Sequence, residues 1–233
     1  MKQDPPFNKI HAASYDDQWK KLSPMMEGLH FLMRILFKDL PHDARVLCVG
    51  AGTGAEILAL AQHFPQWTFL AVDPSEAMLE VCRQRTEKAG LQSRCDFHHG
   101  YLSSLQRVEK FDAATAILVS QFLPERNARI DFFQEISQRL KPKAYLVNAD
   151  LCSPATPELY DSLIETWNQA LRFAGIPEER VKLATSAWRK EVAVSKPEEI
   201  ESIISEAGLV TPTLFYQTLF IRAWYSKVVS TNR

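Results

Sequence analysis

Three of the chain's eight glycines lie within five residues, at Gly50, Gly52 and Gly54. They follow the apolar run Arg45 to Val49, which predicts a buried strand, and they precede a segment with helical spacing. Glycine tolerates positive φ angles and lets the main chain approach a ligand closely. The position, after the first strand of an alternating α/β pattern, is where doubly wound sheets bind ligands. We therefore predict a ligand site here, the alternative being a tight turn that needs glycine for itself.

An acidic residue follows the second predicted strand, at Asp73, 19 residues after Gly54. A carboxylate at that point can accept hydrogen bonds from both hydroxyls of a ribose. The loop Gly50 to Ala55 fits the Gly-x-Gly-x-x-Gly/Ala pattern of dinucleotide-binding folds, and it fits Gly-x-Gly-x-Gly equally well. These residues therefore predict a ribose-containing cofactor, and by themselves they leave open which one.

The elements that must position these residues alternate regularly along the first two thirds of the chain. Helical spacing predicts helices over about 24–40, 55–63, 75–89 and 125–140, and buried strands are predicted at 45–49, 68–72, 94–98, 111–119 and 144–149. Continuous apolar strands that alternate with amphipathic helices are typical of a parallel sheet covered on both faces. We therefore predict an α/β fold.

The regular alternation of strands and helices ends after the fifth predicted strand. A helix is predicted over 157–174, with a stripe of apolar residues every fourth position that we assign to the core: Leu159, Leu163, Trp167 and Leu171. Ser195 and Glu198 form a capping-box pattern that opens a further helix. Two strands, 213–217 and 220–229, complete the chain. We therefore predict a helical insertion over about 153–195 in a single domain of residues 25–233, preceded by an N-terminal arm, residues 1–24.

Composition and charge narrow the class of protein. The 233 residues are 46% hydrophobic and 24% charged with a net charge of −1, which is ordinary globular composition and gives no sign of a nucleic-acid partner. No apolar run approaches the roughly 18 residues that cross a bilayer, and Met1 to Pro6 lack the apolar core of a signal peptide. The four cysteines are widely spaced. We expect a cytoplasmic protein without a structural metal, monomeric or homodimeric.

Four sequence segments, in the same order along the chain as in a known family, show a resemblance to that family. The run Val46 to Gly54, followed by Ala71-Val72-Asp73-Pro74-Ser75-Glu76-Ala77-Met78-Leu79, resembles the class I S-adenosylmethionine-dependent methyltransferases. The turn His99 to Leu102 and the fourth strand ending at Val119 and Ser120 match the family's next two segments. The resemblance covers about Arg45 to Asp150 and resumes from Pro197 to Tyr225. It implies a doubly wound, mostly parallel, seven-stranded Rossmann-like sheet with an antiparallel C-terminal strand.

The resemblance also implies a cofactor, S-adenosyl-L-methionine, with S-adenosyl-L-homocysteine as product. By family position the glycine loop lies under the methionine and ribose, Asp73 holds the ribose, and the third-strand turn meets the adenine. An arm with a Tyr-Asp-x-x-Trp pattern is expected to fold over the cofactor as a lid. The implied cofactor-binding residues are Tyr15, Trp19, Gly50, Ala51, Gly52, Thr53, Asp73, Pro74, Met78, Gly100, Tyr101, Leu102, Val119 and Ser120.

Two positions depart from the family pattern. Cys48 stands where the family often has an acid two residues before the first glycine, so another group must orient the cofactor's amino group. Gly100-Tyr101 stands where the family usually has Gly-Asp at the adenine edge.

His98 and His99 are adjacent, so their side chains should point to opposite faces of a strand. Either could touch the adenosine, and two adjacent histidines alone do not make a metal site.

The acceptor side carries fewer signals, and no residue is identified as a general base. Gln121 and Asp150 follow the fourth and fifth strands and are predicted to line the substrate pocket, together with Trp188 and Arg189 of the insertion. The predicted reaction is methyl transfer to an oxygen, nitrogen or carbon of a small organic acceptor. Three alternatives remain: an enzyme resembling carboxy-S-adenosylmethionine synthase, which acts in transfer-RNA wobble modification, a nicotinamide-dependent oxidoreductase, and a non-catalytic nucleoside-binding protein.

Overall fold

Seven strands form one mixed sheet in the computed structural model, which describes residues 21–106, 109–154, 156–182 and 192–229. The strands are β1 (Arg45–Val49), β2 (Thr68–Asp73), β3 (Cys95–His99), β4 (Phe111–Ile117), β5 (Leu140–Leu151), β6 (Leu209–Thr218) and β7 (Ile221–Val228). Their order is β3-β2-β1-β4-β5-β7-β6. Strands β1 to β5 are parallel, and β7 runs antiparallel between β5 and β6. The predicted fold class is confirmed.

Helices cover both faces of this sheet. They are α1 (Pro24–Leu36), α2 (Ala55–Ala61), α3 (Glu76–Lys88), α4 (Arg126–Arg139), α5 (Pro157–Phe173) and α6 (Pro197–Glu206). Alternate side chains of a strand point to opposite faces. In β1, Val46 and Cys48 accordingly join a core cluster with residues of α1, α2, α3 and α5, whereas Leu47 and Val49 join a second cluster with α4 and α6. Continuous apolar strands are thus explained by burial on two sides.

Two strands are longer than their sequence patterns predict. Strand β5 begins directly after α4 and includes Pro142, because a register shift opposite Phe111 and Ala113 leaves that proline outside the regular ladder. Strand β6 begins at Leu209 and has two register shifts, the first of which includes Thr211, whose φ is 55°. Irregular pairing of this kind leaves no clear period-two signal in the sequence.

The predicted insertion begins and ends at the same place on the sheet. The amide of Ser153 donates to the carbonyl of Ser195 over 2.9 Å. Between these ends, α5 packs Trp167 against Phe220, with ring centroids 6.3 Å apart. Trp167 and Leu171 are buried, but the assignment of Leu159 to the core is wrong, because it is 52% exposed. A stripe that repeats every four residues rotates about 40° per step around a 3.6-residue helix, so its first member turns away from the core.

Candidate active site

The carboxyl ends of β1, β2 and β3 are joined by backbone hydrogen bonds at one edge of the sheet. The amides of Gly50 and Ala51 donate to the carbonyl of Val72 over 2.7 and 3.1 Å. The amide of Gly100 donates to the carbonyl of Asp73 over 3.0 Å. Parallel strands have all their carboxyl ends at the same end of the sheet. The loops that follow β1, β2 and β3, which are far apart in the sequence, therefore lie next to one another.

The three glycines of the loop meet different surroundings. A Cβ at Gly50 would overlap the side chain of Val119, and one at Gly54 would lie 2.5 Å from Cys82 Sγ. A Cβ at Gly52 would meet no heavy atom closer than the Gly50 carbonyl oxygen, at 4.0 Å, although the φ of Gly52 is 53°. Gly50 and Gly54 are therefore required by packing against the protein, whereas Gly52 faces open space in which a ligand fits.

Asp73 is held beside Gly52 by two backbone amides. Gly52 N–H donates to Oδ2 over 2.9 Å, and Ser75 N–H donates to Oδ1 over 2.8 Å. Burial raises the pKa of Asp73 above its ordinary value, and the two amides and the nearby His99 oppose that shift. Each carboxylate oxygen has a second lone pair for a ligand hydroxyl. The carboxylate and the open space at Gly52 therefore fit the ribose end of an adenosyl cofactor.

Behind the loop, α3 and α2 place two charged side chains that sequence patterns alone do not identify. Arg85 Nη1 donates to the carbonyl and to Oγ1 of Thr53 over 3.1 and 2.9 Å. Glu56 is buried in the first turn of α2, and burial raises its pKa to about 7. Burial, followed by the charge of Glu56, raises the pKa of the Cys48 thiol well above its ordinary value. A buried carboxyl group is therefore near the position that carries the family's acid, but it comes from α2.

The predicted adenine side is partly exposed. Tyr101 is 47% exposed, while Leu102 and Met78 are buried. Met78 N–H donates to Ser75 Oγ over 3.3 Å, which caps α3 immediately after Asp73 and Pro74. His98 and His99 point to different partners, since His98 Nε2 lies 2.8 Å from Ser104 Oγ and His99 Nε2 lies 3.1 Å from the Pro74 carbonyl. An exposed aromatic ring beside the turn at Gly100 is available to a planar ligand.

The end of β4 turns sharply into the site. Leu118 has a φ of 59°, a left-handed conformation that costs a non-glycine residue roughly 1–2 kcal/mol. After this turn Val119 lies under Gly50, and Ser120 begins a short 3-10 turn, Ser120–Phe122. Strained backbone of this kind is common at binding sites. Leu118 gives no signal in the sequence, because its side chain continues an ordinary apolar strand.

Ser120 and Asp150 belong to a buried polar network centred on Arg129 of α4. Ser120 Oγ donates to Asp150 Oδ1 over 2.5 Å, and Arg129 Nη2 donates to the same two groups over 2.8 and 3.0 Å. Arg129 Nη1 donates to Ser195 Oγ over 3.1 Å. The predicted capping box is therefore wrong: Lys196 is the N-cap of α6, and the Ser195 hydroxyl accepts from Arg129 instead.

Gln121 also has protein partners. Its Oε1 accepts from Leu151 N–H over 3.1 Å, and its carbonyl accepts from Ala193 N–H over 2.8 Å. Gln121 and Asp150 are both buried at the ends of β4 and β5. Their predicted role in lining a pocket stays a prediction.

Arg129 could have been found in the sequence, because it occupies the same helical stripe as Phe133 and Ile136.

Four predicted site residues lie outside the described part of the chain: Tyr15 and Trp19 of the arm, and Trp188 and Arg189 of the insertion. Among the described residues, no three His, Cys, Asp or Glu side chains come together in a way that could hold a metal ion. Within that same part of the chain, no helix is both long and apolar enough to cross a bilayer.

Comparison with known proteins decides between the cofactors that the glycine loop allows. A family model described as a methyltransferase domain matches residues 46–143, which carry the glycine loop, Asp73 and β4. Residues 46–143 therefore match a methyltransferase domain, in agreement with the predicted resemblance to the class I S-adenosylmethionine-dependent methyltransferases. The predicted resemblance is confirmed, and S-adenosyl-L-methionine is the cofactor that this family implies.

This chain is only distantly related to the individual proteins that it matches. It is 29% identical to the fatty-acid O-methyltransferase of Mycolicibacterium smegmatis over 184 residues, which cover 78% of this chain and 58% of that protein. It is 25% identical to the carboxy-S-adenosyl-L-methionine synthase of Campylobacter hominis over 145 residues, 62% of this chain and 60% of that protein. The chain spans at most about three fifths of the curated relatives it matches.

A solved structure shows the same fold. The O-methyltransferase family protein from Burkholderia thailandensis superposes with a TM-score of 0.66 at 14% identity, over 95% of this chain and 60% of that one. At this level of identity the likeness concerns the fold. It places the seven-stranded sheet of this chain among known Rossmann-like folds.

Proposed function

We propose that this methyltransferase transfers the methyl group of S-adenosyl-L-methionine to an oxygen atom of a small organic acceptor. The observation that carries the proposal is the open space at Gly52, bordered by the buried Asp73 carboxylate. The choice of oxygen is supported by the similarity to the fatty-acid O-methyltransferase of Mycolicibacterium smegmatis. A small molecule, rather than a nucleic acid, is the proposed partner of the neutral chain.

The bound cofactor supplies an activated methyl group on a sulfonium sulfur. In the proposal, Asp73 accepts the ribose hydroxyls, Gly52 leaves room for the methionine and ribose, and Pro74, Met78, Gly100, Tyr101 and Leu102 border the adenine. Gly50, Ala51, Thr53, Val119 and Ser120 complete the cofactor side, and Tyr15 and Trp19 cover it. Arg85 holds the carbonyl of Thr53 and thereby fixes the loop.

On the acceptor side, the proposal assigns positioning rather than a strong base. A phenol or a carboxylate reaches the site already ionised or easily ionised, and alignment with an activated methyl group supplies much of the barrier reduction, with effective molarities of roughly 10⁵–10⁸ M. Gln121, Asp150, Trp188 and Arg189 are proposed to shape this side of the pocket. The Arg129 network holds the ends of β4 and β5 in place beneath it.

Calorimetric titration with S-adenosyl-L-homocysteine tests the cofactor site. Asp73→Asn should weaken binding by about 1–3 kcal/mol, because a carboxylate accepts charge-assisted hydrogen bonds that an amide oxygen does not match. Asp96→Asn is the matched control. Asp96 is an exposed acid near the amino-terminal end of the neighbouring strand β3, whereas Asp73 is at the carboxyl end of β2. Equal affinity of wild type and Asp73→Asn would remove Asp73 from the site.

One rival function uses the same fold. The Campylobacter hominis relative is a carboxy-S-adenosyl-L-methionine synthase, so this chain could carry a carboxylated cofactor. Mass spectrometry of the protein as purified separates the two: S-adenosylmethionine or S-adenosylhomocysteine supports methyl transfer, and a carboxylated species supports the rival.

We propose a cytoplasmic location, which the four free, buried cysteines support.

A further inference from the structure

His99 faces a hydrogen-bond acceptor at each of its ring nitrogens. Nε2 lies 3.1 Å from the Pro74 carbonyl oxygen, and Nδ1 lies 3.2 Å from Glu76 Oε2. Carbonyl and carboxylate oxygens accept hydrogen bonds and do not donate them. Neutral imidazole has a single N–H and satisfies one of these contacts. Both contacts are made together only by the imidazolium form, which has two N–H groups.

Both acceptors belong to the turn that presents Asp73. Pro74 and Glu76 flank Ser75, whose amide donates to Asp73 Oδ1 over 2.8 Å. In the sheet, Asp73 is the register partner of His99. The imidazolium therefore links the end of β3 to the turn on the other side of Asp73, and so restrains the carboxylate proposed to hold the ribose.

Two carboxylates face the ring, Asp73 at the end of β2 and Glu76 at the start of α3. The hydrogen bond from Arg83 is the main cause that lowers the pKa of Glu76, and the charge of His99 adds to that lowering. Burial raises the pKa of Asp73, and the charge of His99 opposes that rise. Arg83 of α3 shares Glu76 through a 2.7 Å hydrogen bond to Oε1. His98, on the same strand as His99, is turned toward Ser104.

We propose that protonated His99 is a positioning residue for the cofactor, holding the Asp73 turn so that the adenosyl ligand binds more tightly when the imidazole is charged. The inference rests on the proposed function, because it takes Asp73 as the ribose ligand. It adds a residue that does not itself need to touch the cofactor, and it makes cofactor affinity depend on pH.

Titration of the purified protein with S-adenosyl-L-homocysteine between about pH 5.5 and pH 8.5, the range in which imidazoles change charge, tests this inference. The dissociation constant of wild type should rise roughly three- to tenfold toward high pH, since one charge-assisted hydrogen bond at a half-exposed site is lost. His99→Gln should bind with the weaker affinity at every pH, because its two N–H groups are on a single nitrogen atom, which cannot occupy the positions of both ring nitrogens, and because the amide does not titrate. His98→Gln, the matched control, should keep the wild-type pH dependence.

The outcomes separate this inference from the proposed function. A wild-type protein that binds no S-adenosyl-L-homocysteine at any pH would contradict the proposed function. Wild-type binding whose pH dependence persists unchanged in His99→Gln would overturn the role of His99 and leave the cofactor site intact. Loss of the pH dependence in His98→Gln would likewise assign the effect to the other histidine and overturn the inference.

Discussion

At the residue scale, Gly52 and Gly54 are two residues apart and serve different purposes. A Cβ at Gly54 would press on Cys82 Sγ at 2.5 Å, whereas one at Gly52 would point into open space. Both positions have left-handed backbone, with φ of 53° at Gly52 and 78° at Gly54. Gly54 is in addition needed for packing between the loop and α3, whereas Gly52 leaves room for the ligand.

Alanine at each glycine should separate the two roles. Gly54→Ala should lower the free energy of unfolding by about 1–3 kcal/mol through overpacking and, because the φ of Gly54 is 78°, by about 1–2 kcal/mol more through left-handed strain. Adding Cys82→Ala should recover only the overpacking part of that loss. Gly52→Ala should cost about 1–2 kcal/mol of left-handed strain and should also weaken S-adenosyl-L-homocysteine binding. Urea denaturation and calorimetry measure the two effects. Unchanged stability of Gly54→Ala, or undiminished ligand binding by Gly52→Ala, would contradict this division.

At the element scale, α5 belongs to the core that also contains β1 and α2. Trp167 and Leu171 are buried in that cluster, and Trp167 packs edge-on against Phe220. The other side of the same helix carries Phe173, which is 90% exposed. The segment that contains α5 is therefore anchored to the core through this helix.

Two truncations on α5 test this anchoring. Trp167→Ala should lower the free energy of unfolding by about 3–5 kcal/mol, because a large buried ring leaves a cavity. Phe173→Ala, on the same helix, should change it by less than about 0.5 kcal/mol. Urea midpoints of the two variants decide the matter. If Trp167→Ala were as stable as Phe173→Ala, the packing of α5 on the core would contribute little to the free energy of unfolding.

At the scale of the whole molecule, Glu56 links stability to pH. Burial raises its pKa from 4.5 to about 7 in the folded protein. Between those two values the unfolded chain has lost a proton that the folded protein still holds, so stability falls as pH rises from about 4.5 to about 7. Above pH 7 the loss is complete, because Glu56 is ionised in both states.

Glu56→Gln should remove this loss. The variant should be close to wild type in stability at pH 5 and more stable by about 1–3 kcal/mol at pH 8, since one pKa unit corresponds to roughly 1.4 kcal/mol. Glu87→Gln, an exposed acid on α3, is the control and should follow wild type. Chemical denaturation at the two pH values measures the difference. A variant that is less stable than wild type at pH 8 would show that ionised Glu56 is stabilised by Arg85.

Local patterns in the sequence were enough to predict the alternation of helices and strands, the glycine loop and the acid at Asp73. Each of these depends on residues that are close in the chain: apolar periodicity, glycines at a strand end, and an acid directly after a strand. The parallel arrangement is then expected, because continuous apolar strands buried on both faces are typical of parallel sheets. The positions of the glycine loop and of Asp73 at the carboxyl ends of β1 and β2 are accordingly what the sequence predicted.

Only the tertiary structure decided which polar groups are buried together. Arg129, Asp150 and Ser195 come from α4, β5 and the start of α6, and their hydrogen bonds join residues up to 66 positions apart. A buried charge is tolerated only where its partners converge, and no local pattern records where distant partners meet. The same reason explains the buried Glu56 and the two acceptors at His99, both of which depend on the packing of neighbouring elements.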